Sequence, residues 1–98
     1  MKILALEKEL SDAAAEKFRP LLKEEARRLW ELTQSGVVRE AYFQAEAHTA
    51  VLVLECADAD TARRALDTLP LVQAGLIAFD ILPLIPYDGF ARLFAEQG

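Results

Sequence analysis

Cysteine and histidine are almost absent from this chain of 98 residues, which holds one of each, Cys56 and His48. A single cysteine excludes an internal disulfide. One histidine, with no cysteine pair beside it, does not complete the common zinc ligand sets, so no metal is expected. His48 falls in a short polar stretch and reads as a solvated loop residue. Cys56 has no histidine near it in sequence and no triad signature that would make it a nucleophile. The four glycines are scattered, which leaves no glycine-rich loop to cradle a phosphate. Positive charge is also short. Eleven Lys and Arg against sixteen Asp and Glu give a net charge of −5, and the only basic pairs are Arg27-Arg28 and Arg63-Arg64. Nucleic acid, which needs a positive footprint, is therefore not an expected partner. Long apolar runs are missing too. The stretch from Leu69 to Phe79 is interrupted by Gln73 and ends at Asp80, short of the roughly 20 residues a helical membrane span requires. The opening run meets Glu7 too soon for a signal peptide. A soluble cytoplasmic protein without a membrane partner is the expectation.

What the chain does have is apolar surface. Of its residues 53% are hydrophobic, yet at this length folding buries only roughly 60–65% of the chain's surface. A second copy is the simplest outlet for the excess, so a homo-oligomer, at least a dimer, is expected. The length fits one domain, residues 1–98, with 87–98 as a C-terminal extension.

Periodicity predicts a short strand over Ile3–Glu7 and a long helix from an N-cap at Ser11-Asp12 to about Gln34, which Pro20 either restarts or kinks. Ser35-Gly36 stops that helix. Val37–Gln44 alternates as a strand, Ala45–Thr49 is a turn, and Ala50–Cys56 is a continuous apolar run, as in a central strand. Asp58-Ala59-Asp60 starts a second helix to about Thr68, halted at Leu69-Pro70-Leu71. Leu76–Leu82 is a fourth strand, and the tail from Asp88 forms a short helix presenting Phe90, Leu93 and Phe94 on one side. The order βαββαβ is the split ferredoxin-like unit, α+β, with a four-stranded antiparallel sheet carrying helices on one face. Two open faces packed together would bury the apolar surplus.

Several residues break this pattern. On a wheel of 100° per residue, Phe18, Leu21, Leu22, Ala26, Leu29 and Leu32 form one stripe. Glu25 lies inside it, one turn after Leu21 and one turn before Leu29. A carboxylate there is either paired or pushed up in pKa by desolvation, and either state suits proton transfer. A structural ion pair is the plainer reading. Arg39 shares a strand face with Val37, Ala41 and Phe43, where it could neutralise Glu25 or Glu55 or grip an anionic ligand. Asp80 interrupts the fourth strand beside Leu76, Ala78 and Leu82. It is a general base if it faces a chamber between subunits, and an ordinary surface acid if it faces solvent. Glu55 ends the third strand, where it reaches solvent easily. Trp30 and Tyr42 are core or interface aromatics, or they line a pocket.

Taken together, Glu25, Leu32, Gly36, Val38-Arg39, Leu66, Leu69-Pro70-Leu71, Asp80 and Pro86 give a chain that resembles the muconolactone isomerase family, within the dimeric α+β barrel superfamily. The resemblance runs from about Glu25 to Pro86. It implies a ferredoxin-like subunit that dimerises sheet to sheet and acts on small acidic or aromatic-derived molecules, usually with no cofactor. The isomerase moves a proton within an unsaturated lactone that carries a carboxylate. By this resemblance Glu25 and Asp80 are candidate catalytic acids and bases, and Arg39, Tyr42 and Trp30 candidate substrate-binding residues. The His-Pro that isomerases carry near the end is replaced by Ile85-Pro86, and their Leu-Trp-Arg stretch by Ala41-Tyr42-Phe43. Two functions are expected on this basis: a cofactor-independent isomerase-like enzyme, or a non-catalytic homo-oligomeric module that binds a small ligand or serves in interactions.

Overall fold

The computed structural model describes residues 1–10 and 14–95. In chain order these form β1 (Lys2–Glu9), α1 (Ala15–Phe18), a 3-10 turn (Arg19–Leu21), α2 (Leu22–Gln34), β2 (Val38–Phe43), β3 (Ala50–Glu55), α3 (Ala59–Leu66), α4 (Pro70–Gln73), β4 (Ile77–Pro83) and a closing 3-10 segment (Gly89–Phe94). The four strands make one antiparallel sheet in the order β2-β3-β1-β4. Helices cover one of its faces. This is the expected α+β, ferredoxin-like arrangement. The proposed N-cap at Ser11-Asp12 lies outside the described residues.

Alternation along the strands sorts the chain into two faces. Ile3 and Ala5 of β1, Leu52 and Leu54 of β3, and Ile77 and Phe79 of β4 point toward the helices and are buried. They meet Leu32 of α2, Ala62 and Leu66 of α3, and Leu69 and Leu71 at the start of α4. The other face carries Leu4, Leu6, Val51 and Val53 at its centre, with no helix over them among the described residues.

Pro20 restarts the first helix rather than kinking it. The 3-10 turn at Arg19–Leu21 has the proline in its first positions, where a missing N–H costs nothing. That turn winds at three residues per turn instead of 3.6, which shifts the phase of α2 relative to α1. Within α2 itself, Leu22 and Ala26 lie at the edge of the predicted stripe and are exposed, while Leu29 and Leu32 keep their inward positions. Gly36 takes φ of +86° at the end of α2, a conformation that suits glycine. Asp58 caps α3 as expected, accepting the Thr61 N–H at 2.8 Å and the Thr61 hydroxyl at 2.7 Å, and these bonds hold its carboxyl below the usual range. At Leu69-Pro70-Leu71 the chain does leave α3, but Pro70 then opens α4 from its first position.

The second strand departs most from its predicted face. Val38 pairs with Leu54 and Glu40 with Val53, so Arg39 is the extra residue of a bulge. The bulge switches the alternation. Val38, Ala41 and Phe43 fall on the helix side, and Arg39 does not share their row. Past Pro83 the chain leaves the sheet, and the molecule measures 60 × 28 × 21 Å. Phe90, Leu93 and Phe94 are all largely exposed, in a 3-10 segment rather than the expected α-helix.

Leu54 is fully buried, so Leu54→Ala is expected to cost about 2–5 kcal/mol in urea unfolding. Ala26→Ser on the exposed side of α2 should stay within about 0.5 kcal/mol.

Candidate active site

The covered face of the sheet holds two carboxylates as well as its apolar core. Glu25 faces inward from α2, half-buried. Its Oε1 accepts the backbone N–H of Leu71 at 2.9 Å. Leu71 stands in the first turn of α4, whose N–H groups have no partner within their own helix, so a side chain of α2 serves as the cap. From the sheet side comes Glu7, next in alternation after Ile3 and Ala5. Its Oε1 accepts the Ala50 N–H at 2.8 Å, where β3 begins.

Burial is the main cause that raises the Glu25 pKa above its usual value. The Leu71 N–H opposes that shift, and the like charge of Glu7 adds to it. No ion pair reaches Glu25 or Glu7 among the described residues. Of the two readings open for Glu25, desolvation therefore describes it and an ion pair with Arg39 does not.

An open groove of about 120 Å³ lies between α2 and the β2–β3 hairpin, lined by Leu29, Ala41, Tyr42, Phe43, Ala50 and Leu52. Neither carboxylate is in its wall, though each is linked to a residue that is. Leu29 sits one helical turn beyond Glu25, and Ala50 is the residue whose N–H binds Glu7. A second depression, between α3 and β4, contains none of the candidate residues.

Of the other candidates Tyr42 lines the groove, and the rest are elsewhere. Asp80 pairs across from Leu6 on the open face and binds the Lys8 ammonium at 2.9 Å, both side chains being solvated. Tyr42 pairs across from Val51, and its hydroxyl donates to Glu40 at 2.6 Å, which raises the phenol's pKa. Arg39 turns its Nε back onto the Gly36 carbonyl at 2.6 Å and stands near enough to Glu55 to help lower that carboxyl. The expectation that Arg39 shares a face with Val37, Ala41 and Phe43 is corrected by the bulge, which removes it from the Glu25 side. Trp30 is 61% exposed and touches neither the groove nor the open-face cluster. His48 lies in the β2–β3 turn, its ring stacked 4.1 Å from that of Phe43. Cys56 is buried and its thiol pKa is pushed up, as an inert thiol requires. Sequence reasoning misses Glu7, although strict alternation from Ile3 and Ala5 marks it as an acid on an apolar face.

No family model matches the sequence, and neither does any curated protein. Solved structures do. The crystal structure of muconolactone isomerase superposes with a TM-score of 0.72 at 18% identity, over 90% of this chain and 92% of that one. The fold is that of muconolactone isomerase. A second structure, 5-chloro-2-hydroxyhydroquinone dehydrochlorinase from Burkholderia phenoliruptrix in complex with 2,5-dihydroxybenzoquinone, matches with a TM-score of 0.71 at 15% identity, over 87% of this chain and 94% of that one. The muconolactone isomerase-like fold expected from the sequence is thus present. Two proteins with different reactions share it, so the fold does not select the chemistry.

The raised pKa of Glu25 has a signed consequence for stability. The folded state holds this proton more tightly than the unfolded chain, so stability falls as pH rises from the unfolded value near 4.5 through the folded one. Glu25→Gln keeps an acceptor for Leu71 and removes the ionisation. Denaturant titrations should show the variant gaining on wild type between pH 4 and pH 8, and matching it most closely at the acid end.

Proposed function

We propose that this protein is a cofactor-independent, isomerase-like enzyme that transfers a proton on a small lactone or aromatic-derived molecule held between α2 and the sheet. The observation that carries this reading is Glu25, a half-buried carboxyl that no described cation pairs, on α2 one helical turn before Leu29 of the apolar groove. One of its oxygens, Oε1, is fixed by the Leu71 N–H. A carboxyl whose pKa burial raises is a stronger base when ionised, and the Leu71 N–H steadies the carboxylate left after donation. Glu7, across the cleft, serves as the second carboxylate of an acid–base pair. The fold shared with muconolactone isomerase and with a dehydrochlorinase acting on a substituted ring supports a small cyclic substrate.

Asp80, Arg39 and Tyr42 enter this proposal through a second copy. We place the dimer contact on the open sheet face, where Leu4, Leu6, Val51 and Val53 have no cover. Asp80 and Arg39 would then border a chamber between subunits, with Tyr42 in its wall. Trp30 would contribute only at a further subunit contact. The exposed Ile85, Tyr87, Phe90, Leu93 and Phe94 add apolar surface for larger assembly. Sedimentation velocity at micromolar concentration should give a dimer or larger species, and Val53→Asp should shift it toward monomer.

A second reading, a non-catalytic homo-oligomeric binding module, is favoured by one fact. Arg39 is committed to Gly36 and Asp80 to Lys8, so two of the three groups expected for lactone isomerisation are absent from the cleft. Turnover of a panel of unsaturated lactones and hydroxylated aromatics, followed by ultraviolet absorbance, separates the two. Glu25→Gln should lower turnover by about 100-fold or more with a thermal melt no lower than that of wild type, while Glu24→Gln on the solvent face leaves turnover intact. Full activity in Glu25→Gln would sink the assignment. Binding without turnover in wild type would hand the case to the module.

A further inference from the structure

Two side chains of α2 hold the connection between α3 and α4. Glu25 and Arg28 stand three residues apart, on one side of the helix. Glu25 Oε1 accepts the Leu71 N–H at 2.9 Å, and Arg28 Nε donates to the Thr68 hydroxyl at 2.8 Å. Thr68 and Leu71 are also three residues apart, so the two bonds form antiparallel rungs between helix and connection. The Thr68 hydroxyl gives its single proton to the Ala65 carbonyl at 2.6 Å, in the last turn of α3. Arg28 is braced in turn by Glu31, whose Oε1 accepts from Nη1 at 3.0 Å. Thr68 therefore ties the end of α3 to α2.

Between the rungs the backbone has little freedom. Leu69 is buried and makes no side-chain cap for α4, while Pro70 has a fixed φ and no N–H. Leu71 thus carries the first N–H of α4, and its place follows from where Thr68 anchors the chain. A bond of 2.9 Å has only about 0.3 Å to drift before it leaves the favoured range. That bond lowers the Glu25 pKa, against burial and the Glu7 carboxylate that acts on it from β1. α4 itself carries no charged side chain.

Resting on the proposed function, in which Glu25 transfers the proton, we propose that Thr68 is a positioning residue for that carboxyl. Clamped by Arg28, it places the Leu71 N–H against Oε1 and so orients the reacting group. Neither Thr68 nor Arg28 lines the groove, and both act through the backbone of Leu71. Without the hydroxyl, Arg28 loses its acceptor and the connection is released at its first anchor. Glu25 then loses the donor that favours its ionised form, and its pKa rises further.

The test is a pH titration of the full chain by NMR, following the Glu25 carboxyl carbon and the Leu71 amide. In wild type the amide should respond at the Glu25 midpoint, because the two groups are bonded. Thr68→Val keeps the side-chain shape and removes the hydroxyl. It should raise the midpoint and shrink the Leu71 response, and Thr68→Ser should restore both. An unchanged midpoint with a full Leu71 response in Thr68→Val would overturn the proposal, even if the variant melts lower, since stability alone is a structural role. Should Thr68→Val fail to fold, Arg28→Met opens the clamp from the other side. A reduced Leu71 response then upholds positioning. A raised midpoint with a full Leu71 response would mean that the Arg28 charge acts through space, and would overturn it. These readouts need no substrate, so they stand apart from the proposed function. Where turnover is found, the acid limb of kcat/KM in Thr68→Val should move to higher pH with the midpoint. A limb that stays fixed while the midpoint moves would overturn Glu25 as the reacting group, and with it the catalytic role of the clamp.

Discussion

The pairing of β1 with β3 along Lys2–Leu6 and with β4 along Ile3–Glu9 sets where every functional group of this molecule can be. A central strand has no freedom to slip, because a one-residue shift would send Ile3 and Ala5 to the open face and bring Leu4 and Leu6 under the helices. With that register in place, Glu7 comes under α2 and Asp80 faces the other way. The two carboxylates under the helices and the Lys8–Asp80 pair on the opposite face are thereby separated by the thickness of the sheet. Any chemistry joining them has to pass through a second copy.

The cleft illustrates how a small core accommodates an acid. Glu25 sits among residues that bury well, and the cost of its partial desolvation is offset by capping α4 from outside that helix. The bond is reciprocal in effect. It satisfies an N–H that α4 cannot satisfy itself, and it holds one carboxyl oxygen. Glu7 does the same for the first N–H of β3. Both acids therefore have structural duties, each closing a backbone hydrogen bond that its neighbouring element leaves open.

Much of this was legible in the sequence. Alternation and apolar runs located the four strands, Asp58 announced its cap, and the interruption of the α2 stripe by Glu25 marked the one inward-facing helical acid. Three things were not legible. The bulge at Arg39 has no glycine or proline to signal it, and a single extra residue was enough to undo the predicted face of β2. The partner of Glu25 is a backbone N–H 46 positions away, which no local spacing encodes. The exposure of Leu22 and Ala26 is the third, because a wheel shows which residues share a stripe and not how much of that stripe the sheet covers.

The same bulge also governs how the molecule meets its neighbours. β2 is an outer strand, and such strands offer unpaired backbone groups to any passing chain. Here the extra residue bends that margin and places Arg39 and Glu40 along it, so a continuous ladder cannot easily be added. At the opposite margin β4 ends in Pro83, with Pro86 soon after, and neither can donate a backbone hydrogen bond. Lateral growth of the sheet, the route to fibrous aggregation, is thus opposed at both borders.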